Sequence, residues 1–364
     1  MRFRFFIFRR NRIVFTNESK KQKTHSHLII FAGGIIMKPK KVLVIGGTGH
    51  IGSYLVPLLI SRGYQVAVFS RGTAKPYPGS FVWKNLSQVK TDRERDERDG
   101  NWQKKIQEVN PDVIVDLICF EPESAQLMAE LIEGEDVHLI TCGTAWVYGK
   151  TEIVPTPETA PRNPQNEYAR KKAVIEEVLL SQTQQGHIQA TLIHPTHITG
   201  PGKTFITPFG DNNLKTIQDI INGKEIYLLD GGMSSLHHVH PADIAFLGLR
   251  CIEEKDYTIG ECFNCGSTHA MTFFGLGQYL ARLAETEFHY RSISLEEYTE
   301  QFGFPEMAAN HVRQGCCVSM EKTSEMLHFT PRYSPEDAVR EAFHDLILQK
   351  KLTWGKTNEY LQRL

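Results

Sequence analysis

The stretch Lys41-Val-Leu-Val-Ile-Gly-Gly-Thr-Gly-His-Ile-Gly52 constrains the fold more than any other part of the chain. A short run rich in β-branched residues stops abruptly at glycines. A helical pattern, Tyr54-Leu55-Val56 to Leu58-Leu59-Ile60, follows at once. Strand, tight turn and helix N-terminus in that order build a cradle for the pyrophosphate of a dinucleotide. Gly46 lets the chain turn sharply, Gly49 lets backbone approach phosphate, and Gly52 lets the helix lie close to the strand. The spacing is GxxGxxG rather than GxGxxG, and it is the flanking strand and helix that give the motif meaning. Gly46, Gly49, His50, Ile51 and Gly52 are therefore the expected cofactor contacts of this loop.

From this loop onward strand and helix signals alternate. Strands are expected at Lys41–Ile45, Gln65–Ser70, Phe81–Lys84, Val113–Leu117, Val137–Thr141 and Ala190–His194. Helices are expected at His50–Ser61, Asn101–Val109, Glu121–Glu133 and Asn166–Ser181. The charged run Lys90–Asp99 reads as a solvated loop. Such alternation implies right-handed βαβ crossovers and a parallel sheet covered on both faces. The rhythm breaks after Pro195, where Gly200, Pro201, Gly202 and Pro208 mark irregular chain. Helical runs return at Leu214–Asn222, Ser319–Leu327 and Ser334–Gln349. The fold class is α/β: a Rossmann-like doubly wound parallel sheet with a smaller C-terminal substrate-binding portion. Residues 37–198 form the dinucleotide-binding part, with a returning segment near 236–266. Residues 199–235 and 267–364 form the substrate-binding portion.

Residues 1–36 look foreign to this pattern. They carry eight Lys/Arg and one acid, so the remainder of the chain is at −8, given −1 for the whole. An acidic body gives no support to a nucleic-acid partner. The apolar run Leu28–Ile36 is far shorter than the roughly 20 residues a bilayer span needs, so no membrane partner is expected. An organelle-targeting peptide and a membrane-surface helix are two readings of this extension. A start at Met37, with upstream translation before it, is the favoured third. The seven cysteines are odd in number and scattered, which suits reduced thiols in a cytoplasmic protein. Cys262-x-x-Cys265 has no second pair at zinc-site spacing, and no metal is expected.

Tyr168-Ala-Arg-Lys-Lys172 places a phenol and an ammonium on one helix face. A nearby ammonium favours the phenolate, which would let Tyr168 exchange a proton with a substrate oxygen near neutral pH. The strand Val137–Thr141 runs into Cys142-Gly-Thr-Ala-Trp-Val-Tyr-Gly149, and Thr144 lies just past its carboxyl end, where ligands of such sheets bind. Its hydroxyl can donate to the reacting oxygen.

Together these motifs resemble the extended short-chain dehydrogenase/reductases, the NAD-dependent epimerase/dehydratase group, over roughly Lys38 to Leu348. The family's glycine turn matches Gly46, Gly49 and Gly52, and its Ser/Thr-x-x-Val-Tyr-Gly matches Thr144 to Gly149. The resemblance implies that Thr144, Tyr168 and Lys172 are catalytic, with Lys172 also holding the nicotinamide ribose. It further implies that Pro195 lies beside the nicotinamide and Asp92 near the adenine. Phe120, Trp146, His197 and His238 are the expected substrate contacts, and a homodimer is implied by resemblance alone. In the family's UDP-sugar epimerases an arginine precedes the stretch that matches Val239 to Ile244, and Leu236 stands in its place. Trp146 fills a position that is usually small. Of the adjoining His237, His238 and His240, period-two spacing places His238 and His240 on one strand face.

The second strand ends in Phe69-Ser70-Arg71-Gly72, without the acid that selects NAD. Ser70 and Arg71 can hold a 2′-phosphate, so the cofactor is NAD(P), with NADP favoured over NAD. The expected activity is redox chemistry at a secondary alcohol or ketone of a sugar-like small molecule. An NADPH-dependent reductase of a non-nucleotide small molecule is one alternative. A non-catalytic nucleotide- or RNA-binding relative is another.

Overall fold

The computed structural model describes residues 40–74, 76–77, 81–84 and 86–356, together with 7–8 and 12–13. The expected extension 1–36 lies outside the described residues, apart from the short antiparallel pair Ile7–Phe8 and Arg12–Ile13. By contact, Met1–Lys40 and Lys41–Leu364 are separate units.

Seven parallel strands build the central sheet: β1 (Lys41–Ile45), β2 (Gln65–Ser70), β3 (Ser87–Lys90), β4 (Val113–Asp116), β5 (His138–Cys142), β6 (Gln189–Pro195) and β7 (Cys262–Cys265). Their spatial order is β7-β6-β5-β4-β1-β2-β3. The order reverses at β1, so the loops after β1 and β4 diverge and open a crevice between them. Both faces of the inner strands are apolar because both are covered. Val42 and Val44 face one core layer with helices α1 (Gly52–Ser61) and α6 (Pro241–Glu253). Leu43 and Ile45 face the other, with α3 (Asn101–Val109), α4 (Pro122–Leu131) and α5 (Glu167–Gln184). A third apolar cluster, around Ile217, Phe273, Leu280 and Phe343, holds the C-terminal portion together.

Three expectations need correction. The stretch Phe81–Lys84 is a turn of 3-10 helix, and the edge strand is Ser87–Lys90 instead. The charged run is not a solvated loop. It forms α2 (Arg93–Arg98), capped by the Asp92 side chain, and Arg93 turns inward so that its Nη1 donates to both oxygens of the buried Asp116, at 2.7 and 2.9 Å. An isolated buried carboxylate would be costly, and the guanidinium offsets that cost. Finally, His240 does not share a strand face with His238. It is the N-cap of α6, accepting from Ala242 N–H at 3.1 Å.

Candidate active site

The glycine turn has the shape its spacing predicts. Gly46 sits at φ +80°, a region only glycine enters freely, and its backbone oxygen accepts from Gly49 N–H at 2.9 Å. A Cβ on Gly52 would lie 2.3 Å from the Gly47 oxygen, so no side chain fits there. This close approach brings the start of α1 against the strand end, where helix-initial N–H groups attract anions.

The second half of the site grows from α5. The Asn166 side chain accepts from Ala169 N–H at 2.9 Å and fixes where the helix begins. Tyr168 and Lys172 then fall one turn apart. Lys172 is almost fully buried, yet its Nζ donates to the carbonyls of Cys119 and Cys142, each at 2.7 Å. Two of three ammonium donors are thus spent on the ends of the β4 and β5 segments. Thr144 caps the one-turn helix Ala145–Tyr148, and its side chain lies close enough to the Tyr168 hydroxyl to favour the phenolate.

The expected effect of Lys172 on Tyr168 is not what the geometry gives. The ammonium lies 6.0 Å from the Tyr168 ring centroid and is aimed at carbonyls. Burial pushes the phenol up to about 12, with the Cys142 thiol adding to the rise and the Thr144 side chain opposing it. The ring is still 45% exposed, facing open space, so the upward push comes from the walls rather than from a sealed pocket.

Both halves meet in one cavity of about 360 Å³. Gly46, Gly49, His50, Ile51 and Gly52 line it, as do Phe120, Thr144, Trp146, Tyr168, Lys172 and Pro195. Lining residues that the sequence reading missed include Ile118, Cys142, Thr196 and Lys203. Thr196 was legible as the polar residue between Pro195 and His197. Its buried hydroxyl has no partner among the described residues, which suits a wall awaiting a polar ligand. The bare glycine cradle and this orphaned hydroxyl fit a dinucleotide.

Ser70 and Arg71 end β2, the first buried and the second exposed; neither lines this cavity. Asp92 is not at the cavity either, since β3 is two strands from β1 and its carboxylate caps α2. His238 is corrected more sharply. It is fully buried, with Nδ1 2.9 Å from the Thr199 hydroxyl, and so it packs rather than faces substrate. Burial lowers it to about 3, keeping it neutral. His197 stands behind the lining rather than in it. Its ring is 6.1 Å from Trp146 and 5.0 Å from His311, a residue the sequence reading overlooked on the helix Glu306–Gln314. His311 in turn lies edge-on to Trp146 at 4.8 Å. Burial, and then the neighbouring His311, keep His197 well below the usual histidine range.

Beneath α5 lies a second polar cluster. Glu176, one turn beyond Lys172, accepts from Arg162 at 2.9 Å and sits 3.2 Å from His194. Burial opposes its charge, but His194 and Arg162 outweigh that and hold it down to about 2. Cys262 joins the same group within 4.8 Å. The guanidinium already neutralises this carboxylate. Cys262-x-x-Cys265 itself lies in a fully buried strand.

Comparison with known proteins agrees with this construction. The model of the NAD dependent epimerase/dehydratase family matches residues 42–266, and the chain belongs to that family. It is an NAD(P)-dependent enzyme of the extended short-chain dehydrogenase/reductase type. The Arabidopsis thaliana chloroplast stem-loop binding protein of 41 kDa b is 27% identical over 86% of this chain and 85% of its own length. The 2'-dehydrokanamycin reductase of Streptomyces kanamyceticus is 23% identical, covering 75% of each. Among solved structures, UDP-glucose 4-epimerase of Thermotoga maritima matches with a TM-score of 0.67 at 20% identity, over 85% of this chain and 99% of that one. That likeness speaks for the fold. Among the described residues, no helix is long and apolar enough to cross a membrane.

Proposed function

We propose that this enzyme oxidises or reduces a secondary alcohol or ketone on a sugar-like substrate, with Thr144, Tyr168 and Lys172 as its working residues. The observation that carries the reading is a single cavity lined at once by the glycine cradle and by these three side chains. A bound nicotinamide supplies or accepts the hydride at the substrate carbon. Tyr168 gives its phenolic proton to the substrate oxygen in the reducing direction and takes one back in the other. Thr144 donates to the same oxygen and steadies its charge. Lys172, anchored by two carbonyls, keeps one donor for the nicotinamide ribose. Residues 37–198 with 236–266 hold the cofactor, and 199–235 with 267–364 cover the substrate.

Two features favour reduction of a non-nucleotide small molecule. A phenol held protonated is ready to donate at neutral pH. Leu236, where the family's UDP-sugar epimerases carry an arginine, is fully buried and has no charge to offer a diphosphate. The similarity to a reductase acting on 2'-dehydrokanamycin supports the same direction. Ser70 and Arg71 favour NADP. The test is to titrate the protein with NADPH and NADH, then to follow cofactor oxidation with keto-sugars and simple ketones. Saturable NADPH binding and ketone-dependent oxidation are expected. No cofactor binding would end the enzymatic reading.

A second reading, binding of a nucleic-acid stem-loop, is favoured by the similarity to the stem-loop binding protein. Filter binding with a stem-loop RNA, beside the cofactor titration, separates the two.

A further inference from the structure

We propose that Lys203 is the cation that closes over the diphosphate of the bound dinucleotide, delivered there by a strap of chain fastened to the glycine turn and to the helix Pro335–Leu348. The inference rests on the dinucleotide reading given above. It follows from how Pro201-Gly202-Lys203 is held.

The strap leaves the sheet after Pro195 and crosses the mouth of the glycine turn. On one side His50, in the glycine turn just before α1, places its Nε2 2.8 Å from the Pro201 carbonyl. Burial, aided by the nearby Lys203 charge, lowers this histidine to about 4. It is therefore neutral at pH 7, and its Nε2–H donates to the carbonyl. On the other side the Gly202 N–H donates to Asp345 at 2.8 Å, from the helix Pro335–Leu348. Gly202 itself sits at φ +99°, and a Cβ there would meet the Tyr77 side chain at 3.2 Å. The backbone is thus fixed from both flanks at the residue before Lys203.

Lys203 itself is fastened to nothing. Its side chain is exposed, and among the described residues its ammonium forms no hydrogen bond and no ion pair. Yet it lines the same cavity as Gly46, Gly49, His50 and Gly52. A cation on a rigid backbone, opposite helix-initial N–H groups, is complementary to an anion lodged between them. The glycine turn receives the diphosphate, so the group that meets both is the diphosphate and not the nicotinamide. Asp345 lies beyond the strap and is occupied by Gly202 and Gln349, so it holds the strap in place.

The experiment measures dissociation constants of NADPH and NADH by fluorescence, without substrate, for the wild type, Lys203→Ala and Lys203→Arg. Losing one charge-assisted contact should weaken both cofactors about ten- to fiftyfold. Lys203→Arg should restore most of the affinity. Raising salt should weaken the wild type more than Lys203→Ala, because a half-exposed charge pair is screened. Unchanged affinity for both cofactors in Lys203→Ala overturns the proposal while the wild type still reports on the cavity. A loss confined to NADPH also overturns it, since it would move Lys203 to the 2′-phosphate. A wild type that binds neither cofactor removes the dinucleotide reading and the inference with it. Lys203 is exposed and unpaired, so the melting temperature of Lys203→Ala should match the wild type and certify that a weaker binder is still folded.

Discussion

The cavity has two walls built on opposite principles. One is backbone: Gly46, Gly49 and Gly52 leave room by having no side chain. The other is side chain: Trp146 lines it, with the rings of His197 and His311 packed behind. In the proposed function the backbone wall receives the dinucleotide. The side-chain wall can vary without disturbing that. The difference teaches where substitution should be fatal and where it should only redirect the enzyme.

The largest expected effect falls on the backbone wall. In Gly52→Val a Cβ would have to sit 2.3 Å from the Gly47 oxygen, and neither backbone can yield. Overpacking typically costs about 1–3 kcal/mol, and a clash with fixed backbone falls at the upper end or beyond. The variant should lose cofactor binding and most of its folded population, read by thermal melting and fluorescence. Trp146→Phe, on the other wall, should keep cofactor affinity and alter KM alone. Equal damage from both variants would break the distinction between the walls.

Next comes Tyr168→Phe, where the walls meet. Removing the proposed proton donor should lower kcat by about 10²- to 10⁴-fold, with cofactor dissociation constants unchanged. The raised phenol adds a directional signature. Reduction uses the protonated form and should be flat near neutral pH. Oxidation needs the phenolate and should rise with pH well past 8. An oxidation rate that levels off near pH 7 would mean that bound cofactor brings the phenol well below its burial-raised value.

Acid should act mainly through buried histidines outside the side-chain wall. His238 and His240 are held near 3, and His237 near 4, each chiefly by burial. Above pH 6.5 both folded and unfolded forms are neutral, and nothing changes. Below it the unfolded chain takes up protons that the folded one refuses, so stability falls as pH falls from about 6.5 toward 4. Each such group costs the native state roughly 3 kcal/mol by pH 4, at about 1.4 kcal/mol per unit. Glu176 extends the loss below 4.5, because its carboxylate is held down near 2 in the fold. Urea unfolding at a series of pH values checks the slope. Stability that is level between pH 6.5 and 5 would mean that water reaches these rings.

The same contrast explains what the sequence could tell. Glycine spacing is local, so Lys41–Gly52 was readable before any contact was known. So were β1, β2 and α3, whose expected ends match the observed ones. The edge strand Ser87–Lys90 was missed because it is mostly exposed and carries no apolar run. The helix α2 was missed because its charges read as solvated, and only the distant Asp116 explains why Arg93 is buried. The side-chain wall draws on residues 146, 197 and 311, which no spacing rule connects. Tyr168 and Lys172 were found by spacing, but the direction of the Lys172 ammonium was not. That depends on where the Cys119 and Cys142 carbonyls point, a fact of the assembled sheet.

The smallest expected effect lies outside both walls. Arg71 is exposed at the end of β2, on the side where the adenine ribose of a dinucleotide would rest. It can touch a 2′-phosphate only if one is present. Arg71→Ala should therefore weaken NADPH about tenfold and leave NADH unchanged, since an exposed charged contact is worth little more in water. Lys203→Ala should weaken both cofactors alike. The double variant should then show the two losses adding for NADPH and only the Lys203 loss for NADH, as independent contacts on separate phosphates require. An equal Arg71 effect on both cofactors would place that guanidinium against the adenine ring and leave the preference for NADP without a residue to carry it.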